Sequence, residues 1–239
     1  MPKKEIKDLD KLDRTLSRIE KRFNKKLEIY YSELENSTLR KVSKYKAGDN
    51  IVIPASKQAG LENLFKNHFK NVERVSKEFT KNELSRIYKK PDDLEKIRLL
   101  KLDRINKYNI KYAKELSLKQ VQDYQDKIKE TLTNALKNNA NLSTKELKDL
   151  VKHDTQSFKN TRIETTSTTE ATRVKNDTKL ELYKKMDLKK VKFIMTREKY
   201  LKKINCKCEQ YNQKVFFINS PNLPVIPQHP NCACEFIPA

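Results

Sequence analysis

Pro227-Gln-His-Pro-Asn-Cys-Ala-Cys234, together with Cys206-Lys-Cys208 upstream of it, holds all four cysteines of this 239-residue chain. Five of the eight prolines (Pro221, Pro224, Pro227, Pro230 and Pro238) fall in the same region. Proline fixes φ and donates no hydrogen bond, so residues 220–230 must be irregular. A tetrahedral zinc takes about four nitrogen or sulfur ligands, usually from two short knuckles separated by a loop. Cys206, Cys208, His229, Cys232 and Cys234 offer five candidates for those four places, with 20 residues between Cys208 and His229. Only one residue separates the cysteines of each pair, and an extended backbone would send them to opposite faces. One cysteine of each pair then binds and the other packs, while the two-residue gap between His229 and Cys232 suits a single ion. Buried free thiols and disulfides remain the alternatives. The 53 residues from Asp187 to Ala239 are close to the size at which a hydrophobic core alone is marginal. A structural zinc contributes an apparent binding free energy of roughly 10–16 kcal/mol, enough to decide whether such a module folds.

Upstream of these knuckles the period is that of strands. Lys190-Val-Lys-Phe-Ile-Met-Thr-Arg197 and Lys214-Val-Phe-Phe-Ile218 carry β-branched and aromatic residues in partial alternation, which predicts two strands flanking Cys206 and Cys208. Further upstream the period becomes helical. Leu9, Leu12, Leu16, Ile19, Phe23, Leu27, Tyr30 and Leu34 recur every three or four residues, predicting one helix over residues 8–46. That narrow seam fits either a helix packed on its own domain or an arm docked on a partner. Ala47-Gly48-Asp49-Asn50 ends it, and Pro54 delays the next helix, which runs through Leu61, Phe65, Phe69, Val72 and Phe79. His68 within that helix is expected to pack rather than to bind a ligand. Pro91-Asp92-Asp93 starts a helix through Leu94, Ile97, Leu100 and Ile105. Ser117 with Gln120, and Ser143 with Glu146, read as capping boxes that open two more. Six threonines fall within residues 161–172, which works against helix, but the flanking Leu180, Tyr183 and Met186 restore the period and predict helix over 156–186. The fold class expected is mainly α, with a small metal-stabilised α+β module at 187–239. Residues 1–46 form an amphipathic helix, 47–137 a helical domain, and 138–239 the domain that contains the module.

Lysine and arginine outnumber acidic residues 53 to 32, a net charge of +21. A charge this positive favours polyanionic partners, although it also suits a solvated surface, and it singles out no residue as a nucleic-acid contact. With two glycines, Gly48 and Gly60, a phosphate-cradling glycine loop is excluded. No apolar run is long enough to cross a bilayer, and the opening Met1-Pro-Lys-Lys-Glu-Ile lacks the apolar stretch of a signal peptide. The cysteines are therefore expected in a reducing compartment, where metal binding outweighs disulfides. Cys232 and His229 have no orienting carboxylate or oxyanion site in the sequence, so the chain is expected not to be an enzyme.

Five motifs follow in order: Arg162-Ile-Glu164-Thr165-Thr, Glu170-Ala-Thr-Arg173, Phe193-Ile-Met-Thr196, Cys208-Glu-Gln-Tyr-Asn-Gln-Lys-Val-Phe216, and Pro227 to Pro238 with its His229-Pro230-Asn-Cys-Ala-Cys234 core. Over roughly residues 140–239 this order resembles the minor head proteins of tailed phages, the head morphogenesis family similar to protein F of phage Mu. Asn205 stands where that family has its first cysteine, Phe193 where it has tryptophan, Gln213 where it has a turn glycine, and Ala233 where it has arginine. The resemblance implies a minor structural or assembly protein of a phage or prophage, located in the virion at the portal vertex. It also implies the portal protein as partner, with non-specific contact to packaged DNA and no membrane. Arg162, Glu164, Thr165, Phe193, Thr196 and Pro230 carry the family motif as structural positions. The alternative is a stand-alone zinc-containing nucleic-acid-binding protein of a mobile element.

Overall fold

Five helices precede three short strands in the computed structural model, which describes residues 3–42, 44, 45, 49, 51–195 and 208–239. The helices are α1 Lys3–Val42, α2 Ala55–Ile87, α3 Pro91–Leu99, α4 Asp103–Asn138 and α5 Thr144–Lys185. The strands are β1 Lys190–Ile194, β2 Val215–Phe217 and β3 Glu235–Pro238. The expected mainly α fold with a small C-terminal sheet is what the chain adopts. Of the residues singled out from sequence, Ala47, Gly48, Asn50, Thr196 and Cys206 lie outside the described residues.

Local chemistry explains most boundaries. Pro91 opens α3 after an extended Lys90, with Asp92 and Asp93 in the first turn, where the helix dipole favours negative charge. The Ser143–Glu146 box is formed: the Glu146 carboxylate accepts from the Ser143 amide at 2.7 Å, and the Glu146 amide donates back to Ser143 Oγ at 3.3 Å. Those bonds hold the Glu146 carboxyl below its ordinary value.

Three expectations need correction. Ser117 and Gln120 start nothing, because α4 runs unbroken through them; Ser117 Oγ bonds back to Lys114 O at 2.8 Å, and Gln120 Oε1 accepts from the Tyr31 hydroxyl at 3.0 Å. A hydroxyl can satisfy itself on the preceding turn and so sit inside a helix. The Pro91 helix does not reach Ile105; it stops at Leu99, and Leu100 and Leu102 are buried in the break before α4. The short helix expected after Ser143 and the threonine-rich one are a single helix of 42 residues, in which Thr155 bonds back to Val151 O at 2.7 Å.

The chain forms two units, each drawn from separated stretches. One comprises 22–67 and 110–164. Its core stacks aromatic rings, with Phe23 against Phe65, Tyr31 against Tyr124, and Tyr124 against Phe158. Lys159 pairs with Glu35 at 2.7 Å, and Arg162 pairs with Asp123 at 2.5 Å while lying over the Phe158 ring. The other unit comprises 1–21, 68–109 and 165–239 and contains the whole sheet. The α1 seam is buried within the chain's own units, Leu12 and Leu16 in one and Phe23, Leu27, Tyr30 and Leu34 in the other.

The sheet order is β2-β1-β3, antiparallel throughout. Val191 faces Phe216, and Phe193 faces Phe236, placing these four on the buried side. The third strand was not expected from sequence: Glu235-Phe-Ile-Pro238 is only four residues long and ends in proline. Its outer edge is closed by α5. Asn176 Nδ2 donates to Cys234 O at 2.9 Å, and the Phe236 amide donates to Asn176 Oδ1 at 2.9 Å. A single side chain thus replaces two ladder bonds of a neighbouring strand.

Candidate metal centre

Cys208 sits at the head of a 3-10 turn, its carbonyl accepting from the Tyr211 amide at 3.0 Å. Two bonds then fasten that turn to β1: the Gln213 amide to Phe193 O, and the Phe193 amide to Lys214 O, both at 2.9 Å. Gln213 has φ +65°, the conformation for which glycine is the usual choice. At the far end of the proline-rich loop the chain turns again. The Cys232 amide donates to His229 O at 3.1 Å, and Asn231 has φ +61°. The Asn231 amide donates to Thr169 Oγ1 of α5 at 3.0 Å, which fixes the turn against the helix.

These two turns bring one ligand atom each from Cys208, His229 and Cys232 within 4.8 Å of one another. Cys208 and Cys232 are fully buried, with Sγ atoms 3.8 Å apart. A tetrahedral ion with metal–sulfur bonds of about 2.3 Å sets its sulfurs about 3.8 Å apart; a disulfide would need about 2.05 Å. Cys234 is also buried and borders both other thiols. The three grouped ligand atoms include that of Cys232 and not that of Cys234, and the backbone becomes a strand only at Glu235, after both cysteines.

The thiols interact strongly. Hydrogen bonds with Cys208 and Cys234 pull the Cys232 thiol down from its ordinary value. Cys208 is pushed up by its contacts with Cys232 and Cys234 and by burial. His229 Nδ1 lies 2.7 Å from Pro230 O. The tautomer that donates there keeps Nε2 unprotonated, the form a metal requires. Two thiols and an imidazole, with the Cys234 thiol beside them, make a donor set compatible with a metal ion, and no other such grouping of His, Cys, Asp and Glu occurs among the described residues.

The remaining residues chosen from sequence do not join this cluster. Phe193 lies in the core below it, 5.7 Å from the Tyr211 ring and 5.9 Å from Phe236. Arg162 belongs to the other unit, as does the exposed Glu164; Thr165 is half-buried on α5, and Pro230 is exposed on the turn. His68 is buried and packs on Phe69, and burial pulls its imidazole down to about 3, so it stays neutral.

Sequence reasoning missed a buried ionic network one residue beyond Cys234. Glu235 lies 3.5 Å from Lys175 Nζ and 3.3 Å from Lys179 Nζ, and Lys179 lies 3.6 Å from Glu83 of α2. Tyr183 donates its hydroxyl to Glu83. One turn earlier on α5, Arg173 bonds Glu170, Asn109 and Asp177, with its guanidinium over the rings of Phe69 and Tyr108. In a chain with 53 basic residues a buried lysine looks like any other. The available signal was the helical face: Lys175 and Lys179 fall on the same stripe as Ala171, Thr178 and Leu182, all buried.

Comparison with family models, with curated proteins and with solved structures finds no match to this chain.

Proposed function

We propose that this chain is a minor structural protein of tailed-phage head assembly whose C-terminal module is closed by one zinc ion on Cys208, Cys232, Cys234 and His229. The observation that supports the reading is the folding of the His229-Pro-Asn-Cys-Ala-Cys234 segment onto Cys208, so that the last two motifs of the order meet at one donor set. Zinc there supplies crosslinking, not a reaction. Of the two carboxylates adjacent in sequence to the cysteines, Glu235 is committed to two lysines and Glu209 is exposed on the 3-10 turn. The sheet and the buried rings below the cluster position three segments that a small core holds weakly, the setting in which a structural ion contributes most. Portal protein is the partner in this reading, with the basic surface tolerating dense packaged DNA.

Two measurements test it separately. Purified from reducing buffer without chelator, the chain should carry about one zinc per molecule; less than ~0.2 would remove the metal from the proposal. Quantitative mass spectrometry of purified procapsids and virions should find the chain in few copies; its absence from both would remove the head-assembly role. The net charge of +21 favours a second reading, a zinc-containing nucleic-acid-binding protein of a mobile element. Sequence-selective duplex binding would select that reading.

A further inference from the structure

The sheet face opposite the core is covered at β3, where Ile194, Glu235 and Ile237 are buried, but open around β2. The register sets Lys190 opposite Phe217 and Lys192 opposite Val215, so these four side chains share the side away from Val191, Phe193 and Phe236. Phe217 is 60% exposed and Val215 50%, both large apolar groups left in water at the free edge of the sheet. Lys190 Nζ lies 5.0 Å from the centre of the Phe217 ring. Exposed Lys189 and Lys214 flank the strands, and neither β1 nor β2 carries an acidic residue. Folding left a flat ring uncovered and surrounded it with cations.

We propose that this face binds single-stranded nucleic acid, with one base stacked on Phe217 and adjacent phosphates held by Lys190, Lys192 and Lys214. The charge selects a polyanion as occupant rather than an apolar peptide or a second copy of this face, which would set four lysines against four. The exposed ring selects an unpaired base over duplex, because a duplex keeps its base faces stacked internally. Aromatic platforms bordered by basic side chains are the sequence-tolerant way to hold a single strand, since every base has a π-face. Lys190 already engages the ring face through cation–π attraction, and an arriving base displaces it toward the phosphate. The cysteines belong to the core on the buried side of the sheet, with Val191, Phe193 and Phe236, so the surface does not depend on the head-assembly role.

The test is equilibrium binding of the full chain to a labelled oligothymidylate and to a duplex of equal length, across a salt series. Phe217→Ala should weaken single-strand binding roughly ten-fold and leave duplex binding unchanged, with Phe217→Tyr restoring affinity. Phe217 is an exposed side chain, so far-UV circular dichroism should show the variants folded. Replacing Lys190, Lys192 and Lys214 with Gln should lower the slope of log K against log salt by about 2. Equal binding of oligothymidylate by wild type and Phe217→Ala would overturn the proposal. So would duplex binding as tight as single-strand binding, or a Phe217→Ala effect seen only as dimer dissociation in sedimentation.

Discussion

Lys179→Met is the substitution that probes most directly how β3 is held. Lys179 has no exposed surface, and its ammonium lies 3.3 Å from Glu235 and 3.6 Å from Glu83. With Lys175 3.5 Å from Glu235, the site holds two cations and two anions in balance. Burial alone would pull the lysine toward neutrality, but Glu83 and Glu235 outweigh it and leave its pKa above the ordinary value. Glu83 is pushed up, chiefly by burial, while Lys175 and Lys179 overcome burial at Glu235 and hold it down. Removing the lysine leaves an excess buried carboxylate, a change that costs ~3–5 kcal/mol. For a chain of this length that is a fall in Tm of roughly 6–20 °C. Lys179→Met/Glu83→Gln should recover ~1 kcal/mol or more relative to additivity, because Lys175 and Glu235 still pair and the introduced amide oxygen still accepts from Tyr183. Thermal and urea unfolding followed by circular dichroism reads both quantities. A Lys179→Met cost below ~1 kcal/mol, or a strictly additive double variant, would refute the electrostatic account of the strand's attachment.

Two other substitutions have defined outcomes. The neutral His68, held near 3 when folded against an ordinary 6.5, makes the unfolded chain bind the extra proton as pH falls below 6.5. Its contribution is therefore complete above that pH, declines from 6.5 down to about 3, and amounts to ~2 kcal/mol lost by pH 5. His68→Leu should shrink the stability difference between pH 7 and pH 5 by about that amount, and an unchanged pH dependence would contradict the burial argument. Asn176→Ala leaves Cys234 O and the Phe236 amide without their partner. It should cost ~1–3 kcal/mol and accelerate hydrogen exchange at Phe236; unchanged protection there would show that the strand edge is held by other means.

Long helices were legible because burying one face imposes a period of three to four residues, and residues such as Leu27, Leu61 and Tyr124 obey it. What escaped was local pattern overridden by packing. The Ser117–Gln120 pattern matches a capping box, yet both side chains find partners inside a continuous helix, and no four-letter signature distinguishes the two cases. The positive φ at Gln213 left no signal in the residue itself, since glycine is the residue that usually marks that conformation. Of the Cys232–Cys234 pair, Cys232 joins Cys208 and His229 while Cys234 is buried beside them, in backbone that Asn231 turns just before β3 starts.

The cysteines and the lysines of α5 also act on adjacent residues of the chain, which neither set reveals alone. Cys234 and Glu235 are neighbours in the chain, one bordering the thiol cluster and the other buried between Lys175 and Lys179. The cluster constrains the loop before β3, and the ionic network with Asn176 constrains β3 itself. A module of this size therefore has two independent anchors on either side of a single peptide bond. Replacing Cys208 and Cys232 with serine should speed hydrogen exchange in the proline-rich loop while that of the strand stays unchanged, because none of the strand's own bonds passes through a cysteine side chain.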